Sequence, residues 1–106
     1  MGLSQDKRQE FHQKLTNALG EGYKVYYQPP ETLQMTYPCV VYHRRYTGTL
    51  NADNVKYAYL RQYQVVLVTR DPDDNAFDIL LNMPYSRHAS SYKSDGLYQY
   101  AFEIYY

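Results

Sequence analysis

Apolar and polar positions along this chain change period several times, and each change marks an element. Phe11, Leu15 and Leu19 recur every fourth residue, with Ala18 beside them and Gln, Lys, Arg and Glu in between. That spacing predicts an amphipathic helix over residues 4–19 that buries a narrow stripe. Ser4 suits its N-cap, and Gly20 or Gly22 supplies the left-handed residue that ends it. Alternation then takes over. Tyr23, Val25 and Tyr27 share one face of a strand at 23–27, which Pro29–Pro30 stops because neither proline donates to a ladder. A second strand covers 38–46, with Val40, Tyr42, Arg44 and Tyr46 opposite Cys39, Val41, His43 and Arg45. Both of its faces end in charge, so it leaves the core toward solvent or a partner.

The polar stretch Thr47–Lys56 carries the turn formers Gly48, Asn51, Asp53 and Asn54. It is either a hairpin tip or a loop ordered against a neighbour. The longest strand follows at 57–69, with Tyr57, Tyr59, Arg61, Tyr63, Val65 and Leu67 on one face. Val65–Val68 is apolar on both faces, which places that end centrally in a sheet. Tyr57–Gln64 is polar on both faces and is expected to project. Asp71–Pro72 opens a second helix at 72–83, with Asp71 as cap, Pro72 in the first position and Asp73 and Asp74 at the positive dipole end. Phe77, Leu80 and Leu81 form its apolar face, Ile79 and Met83 flank it, and Pro84 stops it. A strand at 85–91 and the turn signal Lys93–Gly96, ending in Asp-Gly, lead to a last strand at 97–106. There Tyr98, Tyr100, Phe102, Ile104 and Tyr106 alternate with Leu97, Gln99, Ala101, Glu103 and Tyr105. The order α-β-β-β-α-β-β predicts an α+β fold: a mostly antiparallel sheet with two helices packed on one face. At 106 residues this is a single domain, 1–106, without internal repeat or linker.

Composition adds one unusual feature. The chain has 15 Tyr, 3 Phe and no Trp. Tyrosine has good strand propensity, and its apolar body and polar tip also suit surfaces buried on assembly. Lys plus Arg equals Asp plus Glu at 11 each. Balanced charge argues against a dedicated nucleic-acid binder or a polybasic membrane patch, and it does little to keep copies apart. The opening MGLSQDKRQEF lacks the apolar core of a signal peptide, no apolar run reaches spanning length, and the lone Cys39 points to a reducing cytoplasm.

No catalytic constellation emerges. His12, His43 and His88 fall at no metal-pair spacing, so neither a metal site nor a cofactor is expected. Cys39 reads as a small buried hydrophobe in an apolar strand. Asp71, Asp73, Asp74 and Asp78 lack the glycine and closing glutamate of a calcium loop, and helix capping accounts for the first three. Arg44, Arg45, Arg61 and Arg70, among Tyr42, Tyr46, Tyr59 and Tyr63, could form a base-stacking sheet for single-stranded nucleic acid; arginine packed on tyrosine at a protein interface is the competing reading. A small hydrolase using His43 or His88 finds no nucleophile to pair with. The chain is therefore expected not to be an enzyme.

Several pieces together resemble a family of small structural proteins from the necks of tailed bacteriophages. They are Val25-Tyr26-Tyr27-Gln28-Pro29-Pro30, Met35-x-Tyr37-Pro38-Cys39-Val40-Val41-Tyr42, Ala52-Asp53-Asn54-x-x-Tyr57 and Thr69-Arg70-Asp71-Pro72-Asp73. Arg87-His88, Ser94-Asp95-Gly96-Leu97-Tyr98 and Phe102-x-Ile104-Tyr105-Tyr106 complete the set. The pattern is similar to tail-completion proteins, and among them to tail terminators. It implies a virion protein, assembled in the host cytoplasm, that forms a homo-oligomeric, hexameric ring. Such a ring caps the tail tube, joins the head connector, and lets DNA pass through its lumen without specific binding. The implied partners are other copies of the chain, the major tail tube protein and a head-closure or connector protein, and no membrane. A head-closure or connector role in the same neck is the nearest alternative. Residues 85–92 are richer in Ser than the family pattern. The residues expected at a subunit or partner interface are Arg44, Arg45, Tyr46, Asp53, Asn54, Tyr57 and Arg61; an alternative use of the 47–56 loop is to face the lumen near passing DNA.

Overall fold

The computed structural model of the chain describes residues 3–45 and 62–106, with side chains from residue 7 onward. Seven elements follow one another: α1 (Leu3–Leu19), β1 (Lys24–Tyr27), β2 (Cys39–Arg45), β3 (Gln62–Thr69), α2 (Ala76–Leu81), β4 (Ser86–Ser94) and β5 (Leu97–Tyr105). They form one five-stranded sheet in the order β1-β2-β3-β5-β4, with both helices on the same side. The fold is α+β, and the element order and the mostly antiparallel pairing are as the sequence pattern predicts. The outer part of the predicted 57–69 strand, and the loop before it, lie outside the described residues.

Alternation along each strand decides which side chains meet the helices. Val40 and Tyr42 of β2, Tyr63, Val65 and Leu67 of β3, and Phe102 and Ile104 of β5 face them and are buried. Phe11, Leu15 and Leu19 of α1 and Ala76 and Leu80 of α2 close the core from above. β3, third of the five strands, contributes the most apolar segment, as expected of a central strand.

The centre of this core is aromatic. Phe11 stacks on Tyr63 with ring centroids 4.4 Å apart and an interplanar angle of 18°. It meets Tyr42 edge-on at 5.5 Å and Tyr106 at 5.4 Å. The Tyr42 hydroxyl and His12 Nδ1 share a hydrogen bond at 2.8 Å, so the polar tip of Tyr42 is satisfied beneath the helix. Tyr63, expected to belong to a wet projecting segment, is completely buried. The expectation failed because Phe11 supplies a ring-sized apolar partner that strand alternation alone does not reveal.

β1 pairs with β2 in parallel, Lys24 opposite Cys39 and Tyr27 opposite Tyr42. A parallel pair needs a crossover, and residues 28–38 provide it. The chain turns at Pro30–Leu33, and the Thr36 amide donates to the hydroxyl of Tyr26 at 3.1 Å. Tyr26 alternates with the core-facing Val25 and Tyr27, so this return leg lies over the helix-free side of the sheet. The Tyr37–Pro38 peptide within it is cis. At the opposite edge, β4 and β5 form a hairpin whose two-residue turn is Asp95–Gly96, both with positive φ, 54° and 79°. That is the geometry for which Asp-Gly is selected in right-twisted hairpins. β4 is longer than the predicted 85–91. It runs to Ser94 because its ladder with β5 continues, past an irregularity between His88 and Ser90, up to the turn.

α2 is shorter than the predicted 72–83. It starts at Ala76, because residues 71–75 are spent on a turn in which Asp73 and Asp74 amides donate back to Asp71. Its inward residues are Ala76 and Leu80, with Phe77, Ile79 and Met83 packed beside them, and Leu81 is left exposed. Ala18, predicted beside the buried stripe of α1, is likewise exposed.

Truncating Phe11 to Ala should remove about 3–5 kcal/mol of stability, the usual cost of a vacated aromatic site. A urea denaturation curve against the unaltered chain checks this; a loss under about 1 kcal/mol would show that α1 is not seated by this ring.

Candidate interaction surfaces

Of the seven residues expected at an interface, the structure describes two. Arg44 and Arg45 are exposed at the end of β2, opposite Tyr63 and Gln62 of β3. Tyr46, Asp53, Asn54, Tyr57 and Arg61 lie outside the described residues. The strand end thus leaves the core in charge, as the sequence predicts.

The aromatic partners expected around those arginines are placed differently. Tyr42 and Tyr63 have no accessible ring face, being enclosed between α1 and the sheet. A base-stacking platform needs aromatic faces open at strand centres, and these two are spent on the interior. Arg70 lies over the ring of Tyr37, 5.4 Å from its centroid, and Arg8 over Tyr27 at 4.5 Å. Arginine on tyrosine here is packing within the chain.

The groups with chemical potential are also accounted for structurally. Cys39 is fully buried, and burial pushes its thiol up to about 11, so it stays protonated near neutrality. His12 is half-buried against Tyr42, with its pKa lowered by burial and by the nearby Arg8. His88, exposed on β4, packs its ring against Phe77 and Phe102 at 5.2 and 5.5 Å. Among the described residues no group of His, Cys, Asp and Glu is arranged to hold a metal ion. No described helix is long and apolar enough to cross a membrane.

The acidic run after β3 proves to be a knot that joins three elements. Asp74 accepts from the Ala76 amide at 2.9 Å and from the hydroxyl of buried Thr69 at 2.7 Å, and it also accepts the hydroxyl of Tyr23 just before β1. Thr69 Oγ1 accepts the Asp71 amide at 3.1 Å. Asp71, predicted to cap the helix, instead receives the Asp73 amide, and it is Asp74 that holds the free amide at the start of α2. Burial and the Asp74 carboxylate push the Tyr23 phenol up to about 12, keeping it a donor. A local pattern of acids before a helix identifies the cap, but not a partner 51 positions away.

Among the described residues, three surfaces stand out that could meet another molecule. One is β4, a nine-residue edge strand exposed along nearly its whole length, with Tyr92 61% exposed. It contains no proline, and long unprotected edges invite pairing. The opposite edge, β1, has four residues and ends at Pro29–Pro30. The second surface is a groove between the first half of α1, the Met83–Tyr85 turn and the end of β5, with a volume of about 310 Å³. The third is the β1–β2 connection, which presents Leu33 with 41% of its surface exposed. Comparison with protein-family models, with curated proteins and with solved structures finds no match to this chain.

Replacing Asp74 by Ala should cost about 3 kcal/mol, since the buried Thr69 hydroxyl loses its acceptor together with two further donors. Replacing Asp71 should cost under about 1 kcal/mol, because its carboxylate serves one exposed turn. Chemical denaturation of the two variants side by side checks the order. For His12 the sign follows from a folded-state pKa below the ordinary 6.5. The unfolded chain takes up the proton first, so this contribution is present above pH 6.5 and is lost as pH falls through the lower folded value. A His12→Gln variant should lose that slope in stability measured from pH 7.5 to 5; an unchanged slope would assign it to other groups.

Proposed function

We propose that this chain is a structural virion protein of a tailed bacteriophage. In this reading it is a tail terminator, a homo-oligomeric and hexameric ring that caps the tail tube and joins it to the head connector. The observation that carries the reading is the resemblance of its sequence pieces to neck and tail-completion proteins. Three of those pieces lie at joints of the fold: the end of β1 with its crossover, the Thr69–Asp73 turn into the Asp74 knot, and the Asp95–Gly96 hairpin. None of them carries a catalytic sequence signature.

The physical properties of the fold support association. A subunit in a ring needs two unlike surfaces that complement each other. This chain has a long open edge and a groove near the β5–β4 side of the sheet, and a loop with an exposed leucine at the β1 side. Its formal charge of zero offers little electrostatic repulsion between copies. A small domain also gains stability from assembly by mass action. The enclosure of Tyr42 and Tyr63 takes two tyrosines out of the aromatic platform that a single-stranded nucleic-acid module would use, while Tyr46 and Tyr59 lie outside the described residues.

The test is the mass of the protein in solution, alone and mixed with purified tail tubes. A ring, or a monomer that becomes one on tube ends, is the expected outcome; a chain that stays monomeric on tubes contradicts the reading.

A further inference from the structure

The groove and the β1–β2 loop have complementary chemistry, and the sheet order sets them apart on one chain. The floor of the groove is Phe11, Ile104 and Met83, and one wall is Tyr85, 59% exposed and held at a φ of 56°. A tyrosine with positive φ is uncommon and costs backbone energy, so it persists only where its surroundings fix it. Here the Tyr105 amide donates to the Tyr85 carbonyl at 3.1 Å. The other wall is α1, with Lys7 and Lys14 both above the ring of Tyr106, at 5.5 and 5.9 Å from its centroid. Glu10 lies between them, its Oε1 receiving the Tyr106 hydroxyl at 3.0 Å. The rim therefore carries two lysines with one glutamate between them, around an apolar floor. A cavity of about 150 Å³ holds a benzene ring, so this one has room for an aliphatic side chain with its backbone.

The loop carries the complementary chemistry. Leu33 is the one large hydrophobic of the described β1–β2 connection that stands well exposed, and Glu31 two residues earlier is exposed beside it. The Leu33 amide donates to the Pro30 carbonyl at 3.0 Å, which closes the tip into a turn and pre-forms the knob. The sheet order sets the two surfaces apart. The loop hangs from β1 on the helix-free side, while the groove lies on the helix side at the end of β5.

We propose that Leu33 of one copy seats in this groove of the next, with Glu31 beside Lys7 and Lys14, so that copies join head to tail. This rests on the ring reading above and names its subunit contact. An apolar anchor in a pocket within a charged rim is the usual make-up of a specific contact. Unlike surfaces repeated by one rotation close into a ring or run on as a filament.

The experiment compares self-association of the full chain and its variants by sedimentation, with circular dichroism as the check on folding. Leu33→Asp and Lys14→Glu alter exposed side chains, so the fold is kept. Each should weaken association about tenfold or more, and Glu31→Lys combined with Lys14→Glu should recover part of it. A photo-cross-linker at position 14 should capture the 31–35 loop of a second copy. If Leu33→Asp assembles like the unaltered chain, the contact is wrong and the ring reading stands. A cross-link to the tube protein instead of a second copy also overturns the contact. If the unaltered chain stays monomeric even on tail tubes, the ring reading fails and takes the contact with it.

Discussion

The seating of Phe11 on Tyr63 and Tyr42 is the contact on which most of this structure depends. α1 buries one narrow stripe, and Phe11 is the largest side chain in it. Its ring touches β2, β3 and the residue that follows β5, so one side chain fixes the helix against three parts of the sheet. Two consequences follow. Tyr42 and Tyr63 become interior residues, which changes what the neighbouring arginines can be used for. Lys7 and Lys14 sit four residues before and three after Phe11, on the same side of the helix. Burying the phenylalanine therefore lays both lysines beside Tyr106 and forms the cationic wall of the groove.

The Asp74 knot plays the corresponding part at the other end of the sheet. It ties the start of β1, the last residue of β3 and the start of α2 through one carboxylate. A small domain with a single core has little stability in reserve. Holding the crossover and the short second helix by hydrogen bonds leaves its limited apolar surface for the centre. The outer surfaces, comprising the long edge of β4, the groove and the Leu33 loop, are then free to serve contacts between molecules.

Much of this was legible from periodicity. The alternation of β2, β3 and β5 sorts their residues into two faces, the spacing of Phe11, Leu15 and Leu19 names the buried stripe of α1, and Asp95–Gly96 marks the hairpin. What escaped has a common cause: it depends on partners far away in sequence. Tyr63 reads as wet because a tyrosine in a strand looks the same under a helix as on a surface, and only Phe11 decides between them. Asp71 reads as the cap because it is adjacent to proline, yet Asp74 takes that role because Tyr23 and Thr69 converge on it. The parallel placement of β1 was signalled only by Pro29–Pro30 and the length of the connection after it. At the candidate interface, the exposure of Arg44 and Arg45 was readable from charge at a strand end. The groove was not, since it is assembled from α1, the Met83–Tyr85 turn and β5 together.

In the function proposed above, this chain works by occupying a place in an assembly and not by turnover. Under the proposed virion role, gold-labelled antibody against the chain, applied to purified tailed-phage particles whose genome carries its gene and imaged by electron microscopy, tests that most directly. Label at the junction of head and tail is the expected result. Label confined to another part of the particle, or absent from particles altogether, would contradict it.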